Sequence, residues 1–309
     1  MKTRSATLLA TIIISLVTFT PASDALAQGG TWVTKASMPT ERIGLAGTQL
    51  NGVIYVIGGY NNTGGFHLLA PVEVYDSATD TWTSKAPIPT PRYVLAAAAA
   101  NGIVYAVGGN NGGTIVNTLE AYDPITNTWS SKAAMPTARQ GPAAATVNGM
   151  VYAIGGDNYG SLNAVEAYDP TTNTWTTKAA MPTARYLSAA VAVDGIVYAI
   201  GGVLGGAPLN AVEAYDPNTN TWSTKAAMPT ARYGLAVTVV NGIVYAVGGN
   251  SGGGTVVTTV EAYDPVTNTW SSKAAMPTAR YAFAAAAVNG IMYAIGGVAN
   301  NGDSLATNE

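Results

Sequence analysis

The chain of 309 residues has no cysteine, one histidine, three phenylalanines and only 10% charged residues. Without cysteine there is no disulfide, no thiolate nucleophile and no cysteine-ligated metal. The lone His67 would have to carry any Ser-His-Asp arrangement by itself, and no Gly-x-Ser-x-Gly elbow accompanies it. No Gly-x-Gly-x-x-Gly opens a helix and no Gly-Lys-Ser/Thr occurs, which excludes the common phosphate-cradling loops. Asn/Asp/Gly loops such as Asn300-Asn301-Gly302-Asp303 lack calcium-ligand spacing. The expectation is therefore a protein with no cofactor and no bound metal.

Long apolar runs are also missing. Leu8 to Phe19 is the longest near the start, and it is too short to span a bilayer as a helix, which takes about 20 residues. With Lys2 and Arg4 before it and Ala25-Leu26-Ala27 after it, residues 1–27 read as a cleaved secretory signal peptide, leaving Gln28 as the mature start. The expected location is secreted or periplasmic, with no membrane insertion. Removing Lys2, Arg4 and Asp24 leaves 12 basic and 16 acidic residues, a net of −4. No basic run exists, which argues against nucleic acid as a partner.

What the chain does have is self-similarity, the first thing to seek in any sequence. Tryptophans stand at 32, 82, 129, 175, 222 and 270. An arginine follows each by ten residues, at 42, 92, 139, 185, 232 and 280. Sixteen residues further on comes a glycine pair, starting at 58, 108, 155, 201, 248 and 296. Only the interval from the second glycine to the next glutamate varies, at 14, 11, 10, 11, 12 and 12 residues.

Each repeat reads as four short strands. An Ala-rich run such as Leu95 to Ala100 comes first. Ala is a poor strand former, so crowding near an axis is the reason to expect it there. Asn-Gly follows (Asp194-Gly195 in the fourth copy), the strongest short hairpin signal. Then comes an apolar run such as Ile103 to Val107, suited to a strand buried on both faces. Glu-x-Tyr-Asp and Thr-Trp close the unit, joined by Asp-Pro and Asn-Thr turn chemistry. Four antiparallel strands recurring every 46–50 residues describe a propeller blade. The double glycine after an apolar strand, then Tyr, then Trp, resembles the kelch repeat, and the resemblance covers nearly all of the chain after residue 27. It implies an all-β fold, a six-bladed β-propeller of four-stranded antiparallel blades over residues 28–309. Thr31-Trp32-Val33-Thr34-Lys35 is a lone fourth strand, and the last copy stops at Glu309, where Glu-x-Tyr-Asp would begin. The N-terminal strand is thus expected to complete the last blade and close the ring.

Strand alternation puts the post-Gly-Gly loops and the Trp-to-Arg linkers on one face, here the loop face. The Asn-Gly and Asp-Pro turns lie on the opposite turn face. Loops held by a rigid scaffold carry binding residues, so the loop face is the candidate site. Arg42, Arg92, Arg139, Arg185, Arg232 and Arg280 begin the inner strands and have two readings. Each pairs with the glutamate of its repeat (Glu73, Glu120, Glu166, Glu213, Glu261, Glu309), as a buried arginine requires; or they form an anion-binding ring. The one-to-one match favours the pairing; some kelch propellers bind acidic ligands through such arginines, so the resemblance lends weight to the second. Departures from the repeat add Tyr60, His67, Asn110, Asp157 and Tyr159 in the loops, with Gln140 and Ile43 where other copies place Tyr. Tyr60, Tyr93, Tyr159, Tyr186, Tyr233 and Tyr281 offer stacking surfaces.

Galactose oxidase is also a kelch propeller, but its copper chemistry uses histidines and a cysteine-linked tyrosine, and one histidine without any cysteine makes that untenable here. The expected function is a non-catalytic module, acting as a monomer, that binds a protein or glycan on the loop face. The alternative is a sugar mutarotase similar to the exported sialate mutarotases, which are also kelch propellers. That reaction needs an acid/base pair and a carboxylate clamp, which arginine and glutamate could supply.

Overall fold

The computed structural model describes residues 30–309, so the expected signal peptide and the mature start at Gln28 lie outside the described residues. Among the described residues the regular elements are all strands, and no helix is long and apolar enough to cross a membrane.

The fold is an all-β propeller of four-stranded antiparallel blades. In the first blade, Ala46–Leu50, Val53–Ile57, Val72–Asp76 and Thr81–Lys85 pair in that order. Repeats two to five form the same meander, each beginning with its Ala-rich strand: Ala96–Ala100, Ala143–Val147, Ala189–Val193 and Ala236–Val240. The first two strands are joined by Asn-Gly or Asp-Gly turns with both residues at positive φ, for example Asn101 at 51° and Gly102 at 80°.

The expectation of six four-stranded blades needs correction. Five are four-stranded, and the last repeat forms a two-stranded sheet of Ala284–Val288 and Ile291–Ile295. The final segment forms no ladder of its own against Ile291–Ile295. It pairs through single bridges instead: Asn308 with Ile295 on one side and with Lys35 on the other. Ala294 and Glu309 also exchange both backbone hydrogen bonds, at 2.8 and 3.1 Å.

The core lies between repeats. One cluster joins Tyr105, Val107, Leu119 and Met135 of repeat two to Val151, Ala153 and Tyr168 of repeat three. Similar clusters join the other neighbours, including Leu45, Ile54 and Tyr75 of repeat one with Ala284, Tyr293 and Ile295 of repeat six. The Ala-rich strands explain themselves here. Ala96, Ala98 and Ala100 pack into the core, while Ala97, Ala99 and their equivalents line an axial channel of about 370 Å³. Larger side chains at alternate positions would fill that channel.

Polar staples add to the apolar packing. Each tryptophan donates its indole N–H to an alanine carbonyl of the preceding unit at 2.8–3.0 Å, from Trp82 to Ala36 O through Trp270 to Ala226 O, with Trp32 to Ala274 O. In five repeats the same alanine's N–H donates to an Asx side chain: Asp80, Asn127, Asn173, Asn220 or Asn268. That oxygen also accepts the buried tyrosine hydroxyl of its own blade at 2.7–2.9 Å. A buried phenol thus finds the partner it requires.

Candidate ligand-binding face

The six arginines are fully buried. Each is ion-paired to the glutamate of its own repeat: Arg42–Glu73, Arg139–Glu166 and Arg280–Glu309 at 2.7 Å, Arg232–Glu261 at 3.0 Å, and Arg92–Glu120 and Arg185–Glu213 in closer contact. A threonine two residues before each arginine donates to the glutamate's other oxygen, from Thr40 on Glu73 to Thr278 on Glu309. The guanidinium groups also donate to carbonyls, as Arg139 does to Gly155 O at 2.8 Å and Ala164 O at 2.9 Å. Burial lowers the arginine pKa values, partly offset by the carboxylates; Arg232 falls to about 10 and stays charged near neutral pH. This corrects the anion-ring reading. The arginines tie the start of the inner strand to the third strand, and none is presented to a ligand. The mutarotase reading loses its candidate groups for the same reason, since arginine and glutamate occupy each other.

The glycine pairs serve this layer. The second glycine's N–H bonds the next repeat's arginine carbonyl, as Gly109 does to Arg139 O at 2.9 Å. Gly108, at φ 58°, lies so close that a Cβ would stand 2.6 Å from Arg139 O. Only glycine fits there.

Two residues after each arginine the backbone turns left-handed at Gly44, Val94, Gly141, Leu187, Gly234 and Ala282. These six residues bond one another in a cycle of N–H···O=C bonds at 2.7–2.9 Å, from Val94 to Gly44 O round to Gly44 to Ala282 O. The cycle over-determines positions such as Val94, whose φ of 43° is otherwise costly for a β-branched residue. With Leu45, Leu95, Ser188, Leu235 and Phe283 it floors a shallow depression of about 100 Å³ on the loop face.

Around this mouth, the residue after each arginine bridges the residue after each glycine pair: Ile43 with Tyr60, Tyr93 with Asn110, Gln140 with Asp157, Tyr186 with Val203, Tyr233 with Asn250, and Tyr281 with Val298. The backbone bonds repeat, but the side chains do not. On one side Tyr60, Phe66 and Tyr93 pack together with centroids 4.8–5.4 Å apart. Tyr281 lies near Tyr60 and 6.3 Å from Tyr233. Burial and neighbouring phenols raise the pKa values of Tyr60 and Tyr281, keeping both hydroxyls protonated. On the other side Asn110 Nδ2 donates to Gln140 Oε1 at 3.0 Å, and Gln140 Nε2 donates to Asp157 Oδ2 at 3.2 Å.

The structure therefore brings Tyr60, Asn110 and Asp157 to one rim, together with Tyr93 and Gln140. His67 is exposed on a two-residue strand paired with Asn61, outside the ring cluster. Tyr159 is 91% exposed at a loop tip, at φ 58°. Sequence reasoning missed Phe66 as a rim ring and the six threonines. The threonines had a signal, since each stands in a Pro-Thr-x-Arg group at fixed offset.

The family model described as the KLHDC2/KLHL20/DRC7 Kelch-repeats domain matches residues 27–181 and 176–297. The chain belongs to the kelch-repeat family. No curated protein matches this kelch chain. Among solved structures, one described as "Structure of YjhT" is similar with a TM-score of 0.77 and 19% identity, covering 88% of this chain and 95% of that one. At that identity the likeness is one of fold.

Proposed function

We propose that this kelch chain is an exported, non-catalytic binding module that takes a protein or glycan on its loop face. The observation that carries the reading is the rim: a uniform backbone frame presents partly exposed rings and an amide–carboxylate run, in the one region where loops differ between repeats. The arginines and glutamates are consumed by architecture, which leaves recognition to these variable side chains. A shallow floor favours a ligand that lies across the mouth over one swallowed by it.

In the same proposal the ring has six blades, the last completed by the N-terminal segment. Trp32 bonds Ala274 O as Trp82 bonds Ala36 O. Asn308 bridges Ile295 and Lys35, the order second, third and fourth strand would have. Closing the ring in this way leaves no long sheet edge open to aggregation.

The test is a glycan and peptide array probed with protein beginning at Gln28 and with a Phe66→Ser/Tyr93→Ser variant of unchanged circular dichroism. Binding that the variant loses supports the reading. Binding indifferent to the variant, or none at all, overturns it. Export is tested separately by intact mass, which should begin at Gln28; Met1 retained on exported protein contradicts it.

A further inference from the structure

We infer that the ligand of this mouth is an uncharged carbohydrate, an inference that rests on the loop-face reading above. The first argument is charge. All six arginines are sealed, and the six lysines lie on or just past the outermost strands, away from the axis. The carboxyl groups beside the mouth include Glu41, which accepts a hydrogen bond from Thr63, and Asp157, which accepts one from Gln140. An acidic ligand would meet carboxyl groups there and no arginine or lysine.

The second argument is ring geometry. Centroids 4.8–5.4 Å apart mean that Tyr60, Phe66 and Tyr93 touch one another, so no ammonium group fits between them as in an aromatic cage. They form a compact cluster in which Phe66 is tilted 36° to Tyr60 and Tyr93 stands edge-on to both at 76–77°, with Phe66 53% exposed. The negative face of an aromatic ring attracts polarised C–H groups, which a sugar ring presents on its flat side.

The third argument is adjacency. The ring cluster meets the polar run at Tyr93 and Asn110, which exchange both backbone hydrogen bonds at 3.0 Å. A sugar ring stacked on Tyr93 has its hydroxyls beside Asn110, Gln140 and Asp157, a series of amide and carboxylate groups suited to hydroxyl donors and acceptors. Protein interfaces are enriched in aromatic rings, which this rim shares, and also in arginine and methionine, which it lacks. Neither borders this mouth: the arginines are internal, and Met38, Met135, Met181, Met228 and Met276 are buried.

The test uses protein from Gln28 to Glu309 in native gels cast with β-glucan, galactomannan, xylan or polygalacturonate. The expected result is retardation by at least one neutral polysaccharide and none by polygalacturonate. Tyr93→Ala should weaken retention on the order of tenfold, the scale of one lost ring contact, and Gln140→Ala on the order of threefold to tenfold, the scale of one lost hydrogen bond. Tyr93→Phe keeps the ring and should keep retention. Thermal melts confirm that each variant is folded. Retardation by polygalacturonate alone, or neutral retention unchanged in folded Tyr93→Ala, overturns the inference. So does a peptide hit abolished by the Phe66→Ser/Tyr93→Ser variant with no neutral polysaccharide retained, though the binding-face reading then survives. No binding in either assay removes both.

Discussion

Arg139 and Gln140 are neighbours in sequence and opposites in role. Arg139 belongs to a layer repeated six times, buried and ion-paired to Glu166. Gln140 belongs to a rim where Ile43, Tyr93, Tyr186, Tyr233 and Tyr281 hold the equivalent places. One layer is identical because a buried ion pair tolerates no missing partner. The next is free to differ because the contact repeated in every copy is made by its backbone alone. One step along the chain separates scaffold from recognition.

The comparison breaks most visibly if the buried layer is cut. Arg139→Ala leaves Glu166 unpaired and should cost about 3–5 kcal/mol, read as a lower denaturant midpoint. Gln140→Ala should leave that midpoint nearly unchanged. Equal effects from the two would erase the distinction. Gly108→Ala attacks the same layer through the backbone, forcing a Cβ against Arg139 O at positive φ. A loss of about 1–3 kcal/mol is expected from that strain, measured in the same titration.

A finer test exploits the one repeat that departs in its staple. Asp80 stands where the others have asparagine, and the Ala36 N–H, then the Tyr75 hydroxyl, hold its carboxyl below the ordinary aspartate range. A depressed folded-state pKa gives stability that is present above the unfolded value and lost as pH falls through the folded one. Asp80→Asn keeps an accepting oxygen, so its melting temperature near pH 7 should match the parent. Its decline in acid should be shallower. A decline as steep as the parent's would remove Asp80 from the acid response. The smallest effect is expected at Tyr159, an exposed ring in left-handed backbone. Tyr159→Asn should stabilise slightly, by under about 1 kcal/mol, since asparagine tolerates that conformation better. A clear loss would mean that the ring makes contacts which support the fold.

Most of the scaffold was legible in the sequence because each feature recurs with its physical cause. Asn101-Gly102 needs two positive φ values, Ala97 needs a crowded axis, and Arg and Glu in one-to-one number need each other. The last repeat was less legible. Asn308 forms single bridges where a ladder was expected, and spacing alone does not measure how far a strand extends. The rim was legible only as a set of departures. That Gln140 reaches Asn110 of the preceding repeat, or that Phe66 joins Tyr93, depends on contacts between repeats that no single copy encodes.

Sealing the six repeat guanidinium groups inside the blades has a consequence for encounter. Long-range steering of a ligand needs a strong field of one sign at the entrance. Here the six arginine charges are spent in the interior, the lysines lie out on or just past the outermost strands, and the rim is mostly rings and amides. Association at this face should therefore proceed at the pace of unassisted diffusion and change little between dilute buffer and high ionic strength.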